Sequence, residues 1–194
     1  MTTRVSDKDV FCRAQTSAKR CNGWGGLMAV GGTDQWEFEQ WYKTSRKALT
    51  GAAFLYVGNM DEALDLVQET YARAWQHWDV VCVHANRDAW SRLVLHNLAV
   101  SRWRRLARER ALIRPTEQAQ QAPDAHDVDL ARLVARLPAN QRRAFVLHVV
   151  FDLSIDDVAS EMEAPAGTVR SWIHRARTTL AAQIESDTRL MARK

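Results

Sequence analysis

The chain has 194 residues, of which 46% are hydrophobic and 26% charged, with a formal net charge of +4. This composition is ordinary for a soluble globular protein of one or two domains, and the positive charge allows an acidic partner without requiring one. No apolar run approaches the roughly 20 residues of a membrane span, no secretory signal is evident, and three scattered cysteines cannot form a disulfide framework. We therefore expect a cytoplasmic protein that is not associated with a membrane.

The first part of the chain is predicted to be an extension followed by a helical bundle. Residues 1–33 show no helical period, so we expect them to be disordered, and Met28 is an alternative start that the sequence does not distinguish from Met1. Beyond them, apolar residues recur every three or four positions, which predicts helices. The predicted elements are a helix over 36–53, a turn at 58–59, a helix capped by Asp61 that runs to Trp78, a loop at 79–88, and a helix from Ala89 to about Arg110.

A change of composition predicts a linker after this bundle. Residues 115–129 contain two prolines, three glutamines and four acids, and no lysine or arginine. Apolar residues then precede Pro138, and three helices follow, the last two over 154–162 and about 166–184. No structure is evident in the tail beyond them.

These elements predict an all-α protein made of two small helical domains joined by an extended linker. The N-terminal domain is a helical bundle and the C-terminal domain contains a helix-turn-helix. The predicted boundaries are 1–33 for the extension, 34–110 for the first domain, 111–128 for the acidic linker, 129–185 for the second domain and 186–194 for the tail.

The last two predicted helices have the spacing of a helix-turn-helix motif. Val158, Met162, Val169 and Trp172 or Ile173 can close the angle between them. Glu163 occupies a turn position where such motifs often carry glycine, so we expect an altered turn.

The second helix of this motif is basic on its predicted outer face. In such motifs the second helix lies in the major groove of DNA, and arginine is the commonest reader of guanine. A solvated helix on an ordinary bundle is the alternative. The outward residues are Arg170, Ser171, His174, Arg175 and Arg177.

A second basic stretch lies in the first domain. Between Asn86 and Arg114 there are eight arginines against two acids, with Trp90 and Trp103 between them. Arginine together with aromatic residues is typical of single-stranded nucleic-acid binding, which we favour for the arginine cluster, whereas each tryptophan taken singly is interpreted as a core residue. The arginines are 87, 92, 102, 104, 105, 108, 110 and 114.

The preceding helix has an acidic edge. Asp61, Asp65 and Glu69 are four residues apart, and Gln68 lies alongside. Like charges at this spacing destabilise a helix slightly, which favours a cationic partner over a merely solvated edge.

Three segments together resemble the extracytoplasmic-function (ECF) sigma factors of bacterial RNA polymerase, over about residues 36–184. FEQWYKTSRKALTGAAFLYVGNMDEALDLVQETYARAWQHW resembles their first conserved region, and AWSRLVLHNLAVSRWRR resembles their promoter-melting helix. LPANQRRAFVLHVVFDLSIDDVASEMEAPAGTVRSWIHRAR resembles their C-terminal domain.

The resemblance implies a non-catalytic subunit without metal or cofactor that binds core RNA polymerase and promoter DNA. It implies docking on the clamp coiled coil of the largest subunit through Asp61, Asp65, Gln68, Glu69, Arg73 and Trp75, and contact of the C-terminal domain with the flap of the second-largest subunit. The implied residues for minus-ten recognition and melting are Arg87, Trp90, Arg92, Asn97, Arg102, Arg104 and Arg105, with a flipped base held by Asn97 and the loop at 79–88. Those for the minus-thirty-five element are Ala166, Thr168, Arg170, Ser171, His174, Arg175 and Arg177.

The resemblance also allows an anti-sigma protein as a partner. The sequence departs from the family pattern at some positions. Trp172 stands where the family often has arginine, and Cys82 is unexpected in the base-capture loop. The linker would thread the polymerase cleft. The 22 residues from Arg108 to Asp129 reach about 75 Å when extended, and two turns of DNA measure about 70 Å.

Two other classes of function fit parts of this sequence. A conventional helix-turn-helix repressor or activator would bind a palindrome alone, but it needs neither the arginine-aromatic stretch nor the acidic linker. An enzyme is disfavoured because the sequence has no HExxH pair, Gly-rich phosphate loop or nucleophile elbow. A metal cluster of His77, His84 and Cys82 is the least favoured alternative.

Overall fold

The computed structural model describes residues 32–112 and 127–191, and all regular elements in these ranges are helices. The predicted all-α class is confirmed, whereas most of the predicted extension and linker lies outside the described residues. The helices are α1 Gly32–Val57, α2 Met60–Gln76, α3 Trp78–Val81, α4 Arg87–Leu112, α5 Asp127–Arg136, α6 Ala139–Val150, α7 Ile155–Met162 and α8 Ala166–Met191.

The start of α2 differs from the prediction. Its N-cap is Asn59, whose side chain accepts a hydrogen bond from the backbone N–H of Glu62 at 3.0 Å. The prediction of Asp61 as the cap was therefore wrong. Asp61 lies in the first turn instead, where a negative charge is favoured by the helix dipole. The predicted turn before it is present, and Gly58 has a φ of +74°, which glycine adopts without strain.

Other boundaries differ because of packing and chain continuity. The predicted loop at 79–88 is shorter, since Trp78 and Val81 are buried and form α3. At the other end, α8 continues to Met191, so the tail predicted to be unstructured is helical up to that residue. Nothing in residues 184–191 interrupts a helix, because this segment contains neither glycine nor proline.

The first domain packs α1, α2 and α4 around a core rich in aromatic residues. Phe38 meets Trp75 and Trp78 edge-on, with ring centroids 5.0 and 5.1 Å apart, and Trp41 meets Tyr71 at 5.2 Å. The Nε1 of Trp41 donates a hydrogen bond to Asp88 at 2.6 Å, which ties α1 to the first turn of α4.

The second domain contains the predicted helix-turn-helix in α7 and α8. Its core cluster consists of Ala144, Leu147, Val158, Val169 and Ile173, with Met162 and Trp172 partly buried against it. The predicted closing residues thus pack together.

The turn of this motif contains Glu163, whose backbone conformation is unusual for a residue other than glycine. Ser154 caps α7 by accepting a hydrogen bond from the backbone N–H of Asp157 at 3.1 Å. Glu163 ends α7 with a φ of +51°, in the left-handed region that favours glycine. The expected altered turn is therefore not formed, since Glu163 adopts the strained conformation that the turn requires.

The two domains pack directly against each other, in addition to the separate core cluster of the second domain. One cluster joins Leu49, Ala53 and Tyr56 of α1 to Val134 of α5 and Val146 of α6. A Cβ added at Gly51 in α1 would lie 3.7 Å from Cγ1 of Val150 in α6. Helix α1 of the first domain therefore forms the surface on which the second domain packs.

His96 of α4 lies at this contact between the domains. Its ring is 5.5 Å from that of Tyr56, next to a cavity of about 130 Å³ that Trp103 and Arg142 also line. Burial, with the nearby cations Arg143 and Arg142, lowers the pKa of His96 to about 3. Its buried Nδ1 has no hydrogen-bond partner among the described residues. His96 is therefore held neutral.

Replacing Glu163 by glycine should stabilise the protein. A non-glycine residue in the left-handed region costs roughly 1–2 kcal/mol, and the greater freedom of glycine in the unfolded chain offsets part of that gain. We expect Glu163→Gly to raise the free energy of unfolding by about 0.5–1 kcal/mol in urea titrations. Ser160→Gly, at an exposed position inside α7, should lower it by a similar amount. A loss of stability in both variants would contradict this account.

His96 should make stability depend on pH. The folded-state pKa of about 3 lies below the unfolded value of about 6.5, so the unfolded chain alone binds this proton between the two. Stability should therefore fall as the pH falls below 6.5, by up to about 1.4 kcal/mol per pH unit. Urea midpoints between pH 7.5 and 5 should show a smaller slope for His96→Phe than for the wild type. His174→Gln controls for loss of an exposed imidazole, and equal slopes for His96→Phe and the wild type would refute the assignment.

Candidate nucleic-acid and polymerase interfaces

The N-terminal half of α8 presents one basic face to solvent. Val169, Ile173 and Ala176 are buried on its inner face, and the first turn carries no acid. The predicted outward side chains Arg170, Ser171, His174, Arg175 and Arg177 are all exposed, while Ala166 and Thr168 are half-buried.

Two details of α8 refine the predicted contact set. The hydroxyl of Ser171 donates a hydrogen bond to the carbonyl of Gly167 at 3.0 Å, so it is already engaged within the helix. Trp172 is half-buried against the core of the second domain. The departure from the family at Trp172 therefore serves packing.

The arginine-rich stretch lies along α4, and its residues do not share one environment. Arg104 and Arg105 are exposed. Arg102 is half-buried, and its Nε donates to Oε2 of Glu62 at 3.2 Å, which joins α4 to α2. Arg87 lies with its guanidinium carbon 5.8 Å from the ring centre of Trp78.

The aromatic residues and Asn97 of α4 also differ in their exposure to solvent. Trp90 is half-buried against the main core, as the core interpretation predicted, whereas Trp103 is 57% exposed, so that interpretation was wrong for Trp103. Asn97 is half-buried. The guanidinium of Arg142 lies 5.9 Å from the ring centre of Trp103, so the second domain reaches this helix.

Arg92 is not on the exposed part of α4. Its side chain is 9% exposed, and its Nε donates to Oε1 and Oε2 of Glu161 in α7 at 3.0 and 3.2 Å. Its guanidinium carbon also lies 5.2 Å from the ring centre of Phe151. In this structure Arg92 is thus separated from the other predicted minus-ten residues by its interdomain contact.

The sequence did not predict that Arg92 pairs with Glu161, or that Arg143 also binds Glu161. Arg143 donates from Nη2 to the backbone carbonyl of Glu161 at 3.2 Å, and burial lowers the pKa of Arg143. Glu161 is 69 residues from Arg92, and no local spacing signals such a pair.

The acidic edge of α2 is exposed as expected. Asp61, Asp65, Gln68 and Glu69 all face solvent. Glu69 accepts from Nε of the half-buried Arg73 at 2.8 Å, an i,i+4 pair. Trp75, six residues beyond Glu69, is 42% exposed. The edge therefore ends in an accessible aromatic side chain.

The segment before α4 is held by local hydrogen bonds. The side chain of Asn86 accepts from the backbone N–H of Ala89 at 2.9 Å, and the thiol of Cys82 donates to the carbonyl of Asp79 at 3.6 Å. Burial raises the pKa of the Cys82 thiol. Across residues 32–112 and 127–191, no three His, Cys, Asp or Glu side chains are grouped as metal ligands would be.

The same two segments of the chain contain no helix that combines the length and the apolar character of a bilayer span.

Comparison with known proteins identifies both domains. Residues 41–109 match the family described as Sigma-70 region 2, and residues 127–180 match Sigma-70, region 4. The RNA polymerase sigma-E factor of Streptomyces avermitilis is 31% identical over 160 residues, which cover 77% of this chain and 86% of that protein. The ECF RNA polymerase sigma factor EcfG of Rhodopseudomonas palustris is 32% identical over 146 residues, covering 72% and 81%.

A solved structure supports the same assignment. The sigma factor RpoE from Bartonella quintana, in complex with the anti-sigma factor NepR, superposes with a TM-score of 0.62 at 27% identity, covering 78% of this chain and 98% of that one. The chain therefore belongs to the sigma-70 family of RNA polymerase sigma factors, as a member of its extracytoplasmic-function group.

Proposed function

We propose that this chain is a dissociable, non-catalytic subunit of bacterial RNA polymerase that selects promoters in the cytoplasm. The observation that carries the proposal is the separation of charge between two exposed helix faces. The outer face of α8 is basic around Arg170, and the outer edge of α2 is acidic around Asp65. One face suits DNA and the other a cationic protein surface, so a single chain can bridge the two.

The basic face of α8 is proposed to read the minus-thirty-five element. Its buried inner face fixes the helix on α6 and α7, so the arginines can enter a major groove as a rigid row. Arg170 lies in the first turns of the helix, where residues approach base edges, whereas Arg177 lies two turns later, where contacts to phosphates are commoner.

Helix α4 is proposed to bind the minus-ten strand. The exposed Arg104 and Arg105 supply charge for the backbone, and the exposed Trp103 supplies a ring on which a base can stack. Asn97 and the segment before α4 are proposed to hold a flipped base.

The acidic edge of α2 is proposed to dock on the clamp coiled coil of the largest polymerase subunit, with Trp75 as its apolar anchor. An accessible aromatic ring beside charged residues is typical of the few side chains that dominate binding energy. The second domain is proposed to contact the flap of the second-largest subunit. An anti-sigma protein is a further proposed partner, because the Bartonella relative was solved with one.

Reversing one charge on the acidic edge should weaken binding to core polymerase. We expect Asp65→Lys to raise the Kd for core enzyme at least tenfold, which corresponds to about 1.4 kcal/mol. Glu39→Lys makes the same change of net charge at an exposed site on α1, outside both proposed polymerase contacts, and should bind normally. Fluorescence anisotropy with purified core enzyme measures both, and equal Kd values would remove the docking assignment.

Two arginines of α8 should have different effects on DNA binding. Arg170→Ala should cost about 1–3 kcal/mol at one base position and relax specificity there. Arg177→Ala should weaken binding to all promoters alike and reduce the slope of log K against log salt by about 1. Holoenzyme binding to a promoter library at several salt concentrations separates the two. If Arg170→Ala left base preference unchanged, it would not be a base-reading residue.

A further inference from the structure

A cavity of about 130 Å³ is lined by three helices of the chain. Tyr56 contributes to its wall from α1, His96 and Trp103 from α4, and Arg142 from α6. Its interior takes no part in the proposed contacts with polymerase.

The size of the cavity suits a single six-membered ring. Engineered cavities of about 150 Å³ in protein interiors bind benzene. The rings of Tyr56 and Trp103 lie in the wall, and the small side chains of Ala99 and Ala139 leave the space open. Aromatic side chains in a pocket wall make favourable edge-on or offset contacts with a flat ring. The interior therefore favours an aromatic ligand over a branched aliphatic one.

The wall of the cavity is positively charged. Arg104 and Arg142 line it, and no Asp or Glu among the described residues does. Burial lowers the pKa of Arg142, and the group that opposes this effect is the phenol of Tyr56. Burial raises the pKa of Tyr56, so this phenol is uncharged at neutral pH. The charge of Arg142 therefore lies beside the cavity with no carboxylate in the wall to balance it.

Arg142 and His96 also have hydrogen-bonding capacity for a ligand. Nη1 of Arg142 donates to the carbonyl of Ala135 at 3.0 Å, which uses one of the five N–H donors of a guanidinium. The buried Nδ1 of His96 has no hydrogen-bond partner among the described residues. In a neutral imidazole this nitrogen can carry the proton and donate it to an acceptor. Because a buried polar group without a partner is unfavourable, an acceptor on a ligand would be stabilised there.

We propose that this cavity is a binding site for a small aromatic carboxylate. The ring occupies the space against Tyr56 and Trp103, and the carboxylate binds Arg142, His96 and the more exposed Arg104. Carboxylates match a guanidinium through two parallel hydrogen bonds, which a neutral ligand of the same shape cannot form as strongly. The site does not depend on the function proposed above, since the chain alone contains all of it.

Isothermal titration of the full-length chain with sodium benzoate tests this site. We expect one benzoate to bind per chain with a Kd of about 1 mM or below, which a ligand of this size can reach. Benzamide has nearly the same shape without the charge, so it should bind at least about tenfold more weakly. Absence of benzoate binding up to about 10 mM, or equal binding of benzamide, would overturn the proposal.

Variants at exposed positions locate the site without changing the core. Ala139→Phe places a ring in the cavity wall and should weaken benzoate binding at least about tenfold. Asn140→Phe adds the same bulk at the next position of α6, outside the wall, and should bind benzoate as the wild type does. Arg104→Gln should weaken binding about two- to fivefold, because an exposed charge contributes little. Arg108→Gln on the same helix should have no effect, and unchanged binding in both Ala139→Phe and Arg104→Gln would overturn the site.

Nuclear magnetic resonance of the chain labelled with ¹⁵N-histidine tests the polar contact directly. Benzoate should shift the Nδ1 resonance of His96, which is identified by its loss in His96→Gln. The exposed His174 serves as the internal control and should not respond. A His96 resonance that stays unchanged at saturating benzoate would overturn the proposed position of the carboxylate.

Discussion

The packing of α1 against both domains is the constraint on which this structure depends. Its inner face carries Leu49, Ala52, Ala53 and Tyr56, all buried, and it touches α2 and α4 on one side and α5 and α6 on the other. Small residues allow two neighbours to approach a single helix closely, and a Cβ added at Gly51 would lie in ordinary van der Waals contact with Val150 of α6, 3.7 Å away. If α1 packed on the first domain alone, Arg92 and Glu161 would not meet.

This packing also determines which charged side chains remain exposed to solvent. The acidic edge around Asp65 and the basic face around Arg170 point away from α1 and stay exposed. The cations nearest the interdomain contact, Arg92, Arg142 and Arg143, are instead drawn into it. Arg142 donates to the carbonyl of Ala135 at 3.0 Å, and burial lowers the pKa of Arg142 and of Arg143. Arginines close to the interdomain contact on α1 are therefore buried in it, whereas arginines far from α1 remain exposed to solvent.

Much of the fold was predictable because its signals are local. Helical periodicity, Gly58, Ser154 and the spacing of Val158 to Ile173 each reflect a neighbouring turn of the chain. The N-cap at Asn59 was not predicted because asparagine and aspartate cap helices about equally well. The last turns of α8 were not predicted because residues 184–191 have few apolar residues, although they contain neither glycine nor proline.

The interdomain contact was not predictable from the same kind of reasoning. Arg92 and Glu161 pair across 69 residues, and each looks like an ordinary helical surface residue in its own segment. The sequence predicts an extended linker but contains no local signal for a contact between the domains that it joins. A linker only limits their distance, so the apolar face of α5 and α6 was free to pack on α1.

The linker length bears on how strong this contact must be. Fourteen residues separate the described segments, and tethers of about this length give effective concentrations near the millimolar range. At an effective concentration of about 1 mM, an interdomain contact with a Kd of about 1 mM is formed in half of the molecules. Each tenfold tightening of that contact corresponds to about 1.4 kcal/mol. Tethering therefore allows two domains to stay in contact through an interaction that would be too weak to join separate molecules.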